Sequence, residues 1–268
     1  MSVSFTFKDK YNINDLLDIM SILRAPGGCP WDAEQTHESI RSNFIEEVYE
    51  AVDAIDKQDV SLLKEELGDV LMQVVFHAEI EREGGGFDFD DVADTVCKKL
   101  IERHPHVFGS VSVDGTEDVL RNWDAIKKKS KGQNATQSLV DVPRTLPALM
   151  RSSKVQHRAS RVGFDWDDYH GAVDKLDEEV AELKQAIELG NAHDIEDELG
   201  DVLFSAVNAA RLLGIDPENA LTKACNKFIN RFSIVEKLAH EKGMKLDEQP
   251  LSVLDELWDE AKLIILEP

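Results

Sequence analysis

The chain carries one acidic pattern twice, at a constant separation of 132 residues. Each copy reads Glu-Glu-x-x-Glu, followed further on by Glu-x-x-Asp, and the segment Leu67–Leu71 recurs letter for letter as Leu199–Leu203. A pattern that returns at one offset marks a duplicated unit, so the fold has to consist of two similar modules. The acids are Glu46, Glu47, Glu50, Glu65, Glu66 and Asp69 in copy one, and Glu178, Glu179, Glu182, Asp197, Glu198 and Asp201 in copy two.

The repeat extends to the tryptophans and sets the domain limits. All four fall into two pairs at an offset of 135 residues, Trp31 with Trp166 and Trp123 with Trp258. We predict that copy one spans residues 12–130 and copy two residues 146–265. Residues 131–145, which include Gly132 and Pro143, are predicted to form a linker.

Apolar residues recur at helical spacing in both copies, which predicts an all-α fold. In copy one the residues Phe44, Val48, Val52 and Ile55 follow a spacing of three to four, as amphipathic helices require. Short interruptions at Lys57-Gln58 and Gly190-Asn191 predict a helical hairpin in each copy. The sequence therefore predicts two tandem helical modules.

Charge and composition exclude several partners. The net charge of −23 over 268 residues argues against a nucleic-acid backbone or an anionic membrane as the main partner. No segment approaches the roughly 18 consecutive apolar residues of a membrane span, and the N-terminus lacks a signal-peptide pattern. The three cysteines form no CxxC pair, so a reduced, cytoplasmic setting is expected. Cys97 and Cys225, which match each other in apolar helical contexts, are predicted to be core residues.

The spacing of the acids predicts a cation site in each copy. Residues three or four apart share a helix face, and an antiparallel hairpin lets two such faces oppose each other. Four clustered carboxylates would repel unless a cation neutralised them, and oxygen ligands favour Mg²⁺ or Mn²⁺. The alternative is a solvated acidic surface, since 53 of 268 residues are acidic. The predicted ligands are Glu47, Glu50, Glu66 and Asp69 in copy one, and Glu179, Glu182, Glu198 and Asp201 in copy two.

Basic and aromatic residues form a second candidate group. Lys227 and Arg231 lie four apart on one predicted helix face, where they could bind phosphate oxygens or form ordinary salt bridges. Trp258 and Lys262 could offer a base-stacking surface and a cation, although a core position for the tryptophan is favoured. Lys175 lies four residues before Glu179, whereas copy one has Asn43 there. Copy two therefore offers one more cation beside the predicted ligands.

At these residues the chain resembles the MazG family of nucleoside triphosphate pyrophosphohydrolases, in the all-α NTP pyrophosphatase superfamily. Both acidic motifs, together with Cys29–Asp32, Arg103–Phe108 and Val162–Trp166, look like that family, and the resemblance covers nearly the whole chain. It implies Mg²⁺-dependent hydrolysis of nucleoside triphosphates to monophosphate and diphosphate, a nucleotide-cleaning role and a helical homodimer. It also implies that the acids of copy two hold the metal and that Lys227, Arg231, Trp258 and Lys262 contact the nucleotide.

The roles within copy two follow from this resemblance and from general chemistry. Glu178 or Glu179 could orient a metal-bound water or accept its proton. We expect copy two to carry most of the hydrolysis, with copy one weaker, structural or regulatory. Two other functions stay open: a metal-dependent nucleotide sensor or interaction module that binds without turnover, and a structural acidic helical dimer without a ligand.

Overall fold

The structure is a computed structural model that describes residues 5–116, 118–119, 122–123, 126 and 134–266. The chain divides into two compact units, Met1–Lys131 and Gly132–Pro268. Within the described residues all regular structure is helical, which confirms the predicted all-α fold of two tandem modules. None of the described helices is both long enough and apolar enough to span a bilayer.

The first unit contains a long helical hairpin with a shorter helix packed against it. The hairpin is formed by α3 and α4, and α1 packs on α4. Met20, Ile40, Val75 and Phe76 form the buried core between these elements. The helices are α1 (Ile13–Arg24), α2 (Pro30–Glu34), α3 (Arg41–Asp56), α4 (Val60–Glu83), α5 (Phe89–Arg103) and α6 (Pro105–Phe108).

The second unit repeats this arrangement, and its buried cluster lies between two further helices. Here α9 and α10 form the hairpin, α8 packs on α10, and α11 packs on α12. Val235, Leu238 and Leu257 lie in the buried cluster between α11 and α12. The helices are α7 (Ala135–Val140), α8 (Ala148–Ser160), α9 (Tyr169–Leu189), α10 (Ala192–Leu212), α11 (Pro217–Glu241) and α12 (Leu251–Leu266), with a 3₁₀ turn at Leu246–Glu248.

The two hairpin turns are built alike from different residues. Gln58 has φ 56° and its match Gly190 has φ 73°, so both stand in the left-handed region. The next residue then caps the following helix: Asp59 accepts hydrogen bonds from the backbone N–H groups of residues 61 and 62, and Asn191 accepts from residue 193. The predicted hairpins are therefore present in both copies.

The segment predicted as a linker carries structure of its own. Helix α7 packs on α8, and Arg158 donates a hydrogen bond to the Ser138 carbonyl. Val142, just after α7, is buried. Residues 131–133 of the predicted linker lie outside the described residues.

Both hairpins leave apolar side chains exposed at matched positions. Leu67 and Leu199 are about half exposed, although each belongs to the apolar stripe of a hairpin helix. Because the same positions are exposed in both copies, each module has its own apolar surface at the matched place. The exposed matched pairs are Ile55 with Ile187, Leu67 with Leu199, and Leu71 with Leu203.

Candidate metal and nucleotide sites

The acids of copy one converge at the middle of the hairpin. Helix α3 contributes Glu47, while α4 contributes Glu66 and Asp69, which lie three residues apart and share a face. The carboxylate oxygens of these three residues lie within 4.8 Å of one another. Glu50 is outside this group of three, but it lies near enough to Glu66 to raise the pKa of that carboxyl.

Copy two brings together the matched three acids. Glu179 comes from α9, and Glu198 and Asp201 come from α10, with ligand oxygens again within 4.8 Å of one another. Glu182 is outside the three but adjoins them: burial raises the pKa of its carboxyl, and Glu179 and Glu198 raise it further. The structure thus groups three of the four predicted ligands in each copy and places the fourth beside them.

Burial and mutual repulsion both act on these carboxylates. Burial raises the pKa of Glu47 and of Glu66, and in each case the neighbouring Asp69 adds to the effect. Glu66 and Glu179 are buried residues, which an ordinary solvated acidic surface would not contain. An all-oxygen set of ionised ligands suits a hard divalent cation, because the cation would offset the cost of holding these charges together.

Lys175 supplies a positive charge at the cluster of copy two, and the matched residue of copy one is Asn43. The Lys175 Nζ lies 2.8 Å from a Glu179 oxygen and 2.7 Å from a Glu178 oxygen. These two carboxylates raise the pKa of Lys175, so the ammonium form is favoured. The side chain of Glu179 is 7% exposed and that of Glu178 is 57% exposed. Of the two predicted catalytic acids, Glu179 therefore lies within the cluster and Glu178 at its outer edge.

Gln73 distinguishes copy one and was missed by the sequence analysis. Its Nε2 lies 3.5 Å from a Glu47 oxygen, and its own side-chain oxygen is buried without a hydrogen-bond partner among the described residues. The matched residue of copy two, at the offset of 132, is the smaller Ser205. A position-by-position comparison of the two copies in the sequence would have revealed this difference.

The predicted nucleotide-binding residues gather on α11 and α12. The Arg231 guanidinium carbon lies 5.9 Å from the centroid of Trp258, whose ring packs against the core between these helices. Lys262 donates a hydrogen bond of 2.7 Å to Asp259, and Lys227 is exposed. Within the described parts of the chain, no hydrogen bond or ion pair joins these four residues to the carboxylate cluster.

Copy one repeats the arginine–tryptophan contact. The Arg103 guanidinium carbon lies 5.3 Å from the centroid of Trp123. The residues that match Asp259 and Lys262, namely Asp124 and Lys127, lie outside the described residues. The contact of arginine with tryptophan is therefore a feature of the duplicated unit itself.

The prediction that Cys97 and Cys225 are core residues is wrong, because both are exposed. The reason lies in the helices that carry them. Leu100 on α5 and Phe228 on α11 are exposed as well, so the apolar side chains near each cysteine are not covered within the described chain. Apolar periodicity identified the helices correctly but did not show which face is buried.

Two carboxylate clusters with oxygen ligands, each on a helical hairpin, define an all-α protein with duplicated candidate sites for a hard cation. Residues 35–108 and 169–235 match the MazG nucleotide pyrophosphohydrolase domain. The chain therefore belongs to the MazG family, as the resemblance of its motifs predicted. The two matched segments contain both carboxylate clusters together with Lys227 and Arg231.

Three relatives show how far the similarity extends. The nucleoside triphosphate pyrophosphohydrolase/pyrophosphatase MazG of Thermotoga maritima is 46% identical over 248 residues, which cover 92% of this chain and 94% of that protein. The nucleoside triphosphate pyrophosphohydrolase of Escherichia coli is 44% identical over 256 residues, covering 93% and 97%. The protein of that name from Mycobacterium tuberculosis is 35% identical over 250 residues, covering 90% and 65%.

The buried carboxylates make a prediction about the metal-free protein. Glu66→Gln keeps the side-chain shape and removes a buried negative charge, so we expect the metal-free protein to melt a few degrees higher at neutral pH. The same change should reduce the stabilisation that a divalent cation gives copy one. Melting curves with chelator and with added Mg²⁺ or Mn²⁺ measure both effects.

Glu65→Gln, at an exposed position, is the matched control. It should change neither the melting temperature without metal nor the stabilisation by the cation. By position, the equivalent pair in copy two is Glu198→Gln, at a partly exposed acid, with Asp197→Asn as its control. Two results would contradict the assignment of Glu66 to a cation site. One is a lower melting temperature of Glu66→Gln without metal. The other is a rise in melting temperature on adding the cation that equals the rise in the unchanged protein.

Proposed function

We propose that this protein is a Mg²⁺-dependent nucleoside triphosphate pyrophosphohydrolase that converts a triphosphate and water to the monophosphate and diphosphate. The observation that carries the proposal is the partly buried three-carboxylate cluster on each hairpin, with its fourth acid alongside. The names of relatives that share more than nine tenths of their length with this chain agree with this activity. A nucleotide-cleaning role is part of the same proposal.

The residues of copy two fit a hard cation and its phosphates. Glu179, Glu182, Glu198 and Asp201 would hold Mg²⁺, or Mn²⁺ in its place, since all four offer carboxylate oxygens. The bound ion would offset phosphate charge and lower the pKa of a water. Water would cleave the anhydride between the α- and β-phosphates: the hydroxyl adds to one of these two phosphorus atoms, the bridging oxygen leaves with the other, and the products are the monophosphate and diphosphate.

The side chains around this cluster have distinct tasks in the proposed reaction. Glu179 is buried, so its carboxylate is held in place to orient the water or accept its proton, with the exposed Glu178 as the other candidate. Lys175 already lies within hydrogen-bond distance of both and can transfer its contact to a phosphate oxygen. We assign nucleotide contacts to Lys227, Arg231, Trp258 and Lys262, with the cations stabilising charge on the departing diphosphate.

Two differences between the copies support copy two as the main active site. Copy two has Lys175 where copy one has Asn43, so only copy two has a lysine at this position for a triphosphate. Copy two also has Ser205 where Gln73 of copy one contacts Glu47. The Gln73 contact occupies part of the ligand set of copy one, which favours a structural or nucleotide-sensing role for that copy.

The first experiment identifies the products. The pure protein is incubated with a panel of nucleoside triphosphates, with and without Mg²⁺. We expect monophosphate and diphosphate, formed only when the metal is present. Formation of nucleoside diphosphate and phosphate would overturn the assigned reaction, and binding without turnover would place the protein among nucleotide sensors.

Paired double variants test which copy carries the reaction. Glu179→Ala with Glu182→Ala should lower kcat/KM at least about 100-fold, since even groups that only support metal ligands cost 10- to 100-fold when lost. The matched pair in copy one, Glu47→Ala with Glu50→Ala, should leave most of the activity. The reverse ranking, measured under the same conditions, would assign hydrolysis to copy one.

We also propose a homodimer assembled through the exposed hairpin faces. The matched exposed residues of both copies, such as Leu67 and Leu199, form apolar surface that a second copy could cover. The exposed Cys97 and Cys225 have exposed apolar neighbours on their helices, Leu100 and Phe228. All three cysteines are unpaired, which suits a reducing, cytoplasmic compartment.

Sedimentation tests the dimer. The molar mass from sedimentation should be about twice the 30.1 kDa of one chain. Leu199→Asp should shift the equilibrium towards the monomer, because a charge buried at an apolar interface is costly. Val60→Asp is the control, since Val60 is 80% exposed at the first position of α4, where an acid is well tolerated. A monomeric unchanged protein would exclude the proposed dimer.

A further inference from the structure

Copy one contains a pair of histidines that the proposed chemistry does not use. His37 lies in the segment between α2 and α3, and His77 lies on α4. The Nδ1 atoms of the two rings are 2.7 Å apart, and Nε2 of His37 lies 2.9 Å from a carboxylate oxygen of Glu81. Glu81 is one helical turn beyond His77 on α4. The three side chains therefore form one continuous series of polar contacts.

The two imidazole rings meet edge to edge. Their planes are within 8° of parallel, and their centroids are 5.0 Å apart. This distance exceeds the 2.7 Å between the Nδ1 atoms by about the width of one ring, so both nitrogens lie close to the line that joins the centroids. Such a coplanar arrangement directs an N–H group of one ring at the lone pair of the other, which is the favoured geometry of a hydrogen bond.

The contact between the rings requires one shared proton. Two facing lone pairs would repel each other at 2.7 Å, and so would two facing N–H groups. With one proton between the rings, one Nδ1 donates and the other accepts. Nε2 of His37 carries a proton as well, because the ionised Glu81 carboxylate can only accept.

The number of bound protons decides when this contact is lost. Neutral His37 and neutral His77 carry one proton each, and these two protons occupy Nε2 of His37 and the shared position. One further proton goes to the remaining ring nitrogen of His77 and leaves the shared position unchanged. A second further proton makes both rings imidazolium ions, so both Nδ1 atoms carry hydrogen and the contact breaks.

The surroundings of the pair disfavour that second proton. His77 is half-buried, and burial lowers the pKa of its imidazole below the ordinary value of 6.5, with the neighbouring His37 lowering it further. Phe44 on α3 places an apolar ring against His77, at 5.6 Å between the ring centroids. Opening the contact would let two imidazolium ions separate and reach water, so the open arrangement is the one that accepts both protons.

Charged side chains on the elements packed against α4 are bound to partners of their own. The ion pairs are Arg24 with Glu83, Lys8 with Asp15, and Arg82 with Glu79, with Asp88 at the start of α5 adding to the charge around Arg82. Glu38 lies near both His37 and Arg41, so the arginine offsets its negative charge. Glu81 is therefore the main anion at the histidine pair.

The histidine pair lies at the open end of the copy-one hairpin. His77 is in the second half of α4, far from the turn at Gln58, and Phe44 is in the first turn of α3. Ile40, in the same segment as His37, is 2% exposed and belongs to the buried core. The pair therefore fastens the segment before α3 to α4 beside the point where that segment enters the core.

Copy two lacks all three side chains of this arrangement. The residues at the offset of 132 are Tyr169 for His37, Ala209 for His77 and Leu213 for Glu81. Alanine and leucine have no polar side-chain atom with which to share a proton. Because the hairpin itself is present in both copies, it does not need the histidines in order to form. The pair is an addition to copy one, for which we expect a structural or regulatory role.

We propose that His37 and His77 form a pH-sensitive lock on the copy-one hairpin, in which a shared proton holds the segment before α3 against α4 and full protonation of both rings releases it. The lock is closed at neutral pH and opens in acid. This inference does not depend on the proposed hydrolysis, because the contacts involve neither carboxylate cluster.

The direction of the pH dependence follows from proton binding. Histidines in an opened segment take up protons near the ordinary value of 6.5, whereas the closed pair takes up its second excess proton only at lower pH. As the pH falls below 6.5, the open state therefore binds more protons than the closed state. A difference of one proton raises the ratio of open to closed molecules by up to about tenfold per pH unit.

Hydrogen exchange on the full chain measures this opening. Below pH 6.5 we expect protection of the amides of residues 36–44 to fall by up to about tenfold per pH unit, after correction for the intrinsic pH dependence of exchange. Helix α12 contains no histidine and is the internal control, which should show no such step. His37→Tyr with His77→Ala introduces the residues of copy two and should remove the step.

Glu81→Gln distinguishes a proton-operated lock from an ordinary structural contact. The glutamine oxygen can still accept a hydrogen bond from Nε2 of His37, so the series of contacts is kept. Loss of the negative charge disfavours protonation of the pair, so the step should move to lower pH. His193→Asn is the control, since it removes an exposed histidine of copy two and should leave the step in place.

Three outcomes would overturn the proposal. One is the absence of any loss of protection in residues 36–44 below pH 6.5 in the unchanged protein. Another is an identical step in the variant that carries His37→Tyr and His77→Ala. The third needs no variant: NMR of the ring nitrogens in the unchanged chain should show the pair titrating in two separate steps, and a single step for both rings would exclude a shared proton.

Discussion

The constraint on which the structure depends is the crowding of several like charges, one of them buried, in each helical hairpin. Glu66 and Glu179 occupy buried positions, and each has further carboxylates close by. Such groups are costly to hold together unless a cation offsets their charge. Copy two offsets part of this cost with Lys175, whereas Gln73 makes a neutral contact in copy one.

Comparison of the two copies distinguishes the features that both modules keep from the features found in only one of them. Both copies keep the hairpin, the three converging carboxylates and an arginine against a tryptophan. They differ at the lysine beside the cluster of copy two, and in the space under α1 in copy one and α8 in copy two. The same backbone frame thus supports a filled core in copy one and an open cavity in copy two.

The sequence was sufficient for the parts that follow from periodicity. Spacing of three and four residues placed the acids on shared helix faces, and the single offset established the modules. Spacing could not show which carboxylates converge, because that depends on the rotation and depth of each helix; Glu50 and Glu182 lie beside the clusters for this reason. Nor could it reveal the exposure of Cys97 or the cavity at Asn208, since both depend on which neighbouring faces are covered.

The left-handed turn residue of each hairpin shows how the two copies distribute their stability. A glutamine in this region costs on the order of 1 kcal/mol, and Gln58 accepts that strain where Gly190 has none. Copy one offsets its strained turn with a filled core under α1. Copy two leaves a cavity under α8, which sacrifices packing, but its glycine turn is relaxed. Each module therefore contains one locally unfavourable feature: a strained turn residue in copy one and an unfilled cavity in copy two. A ligand could fill the cavity of copy two.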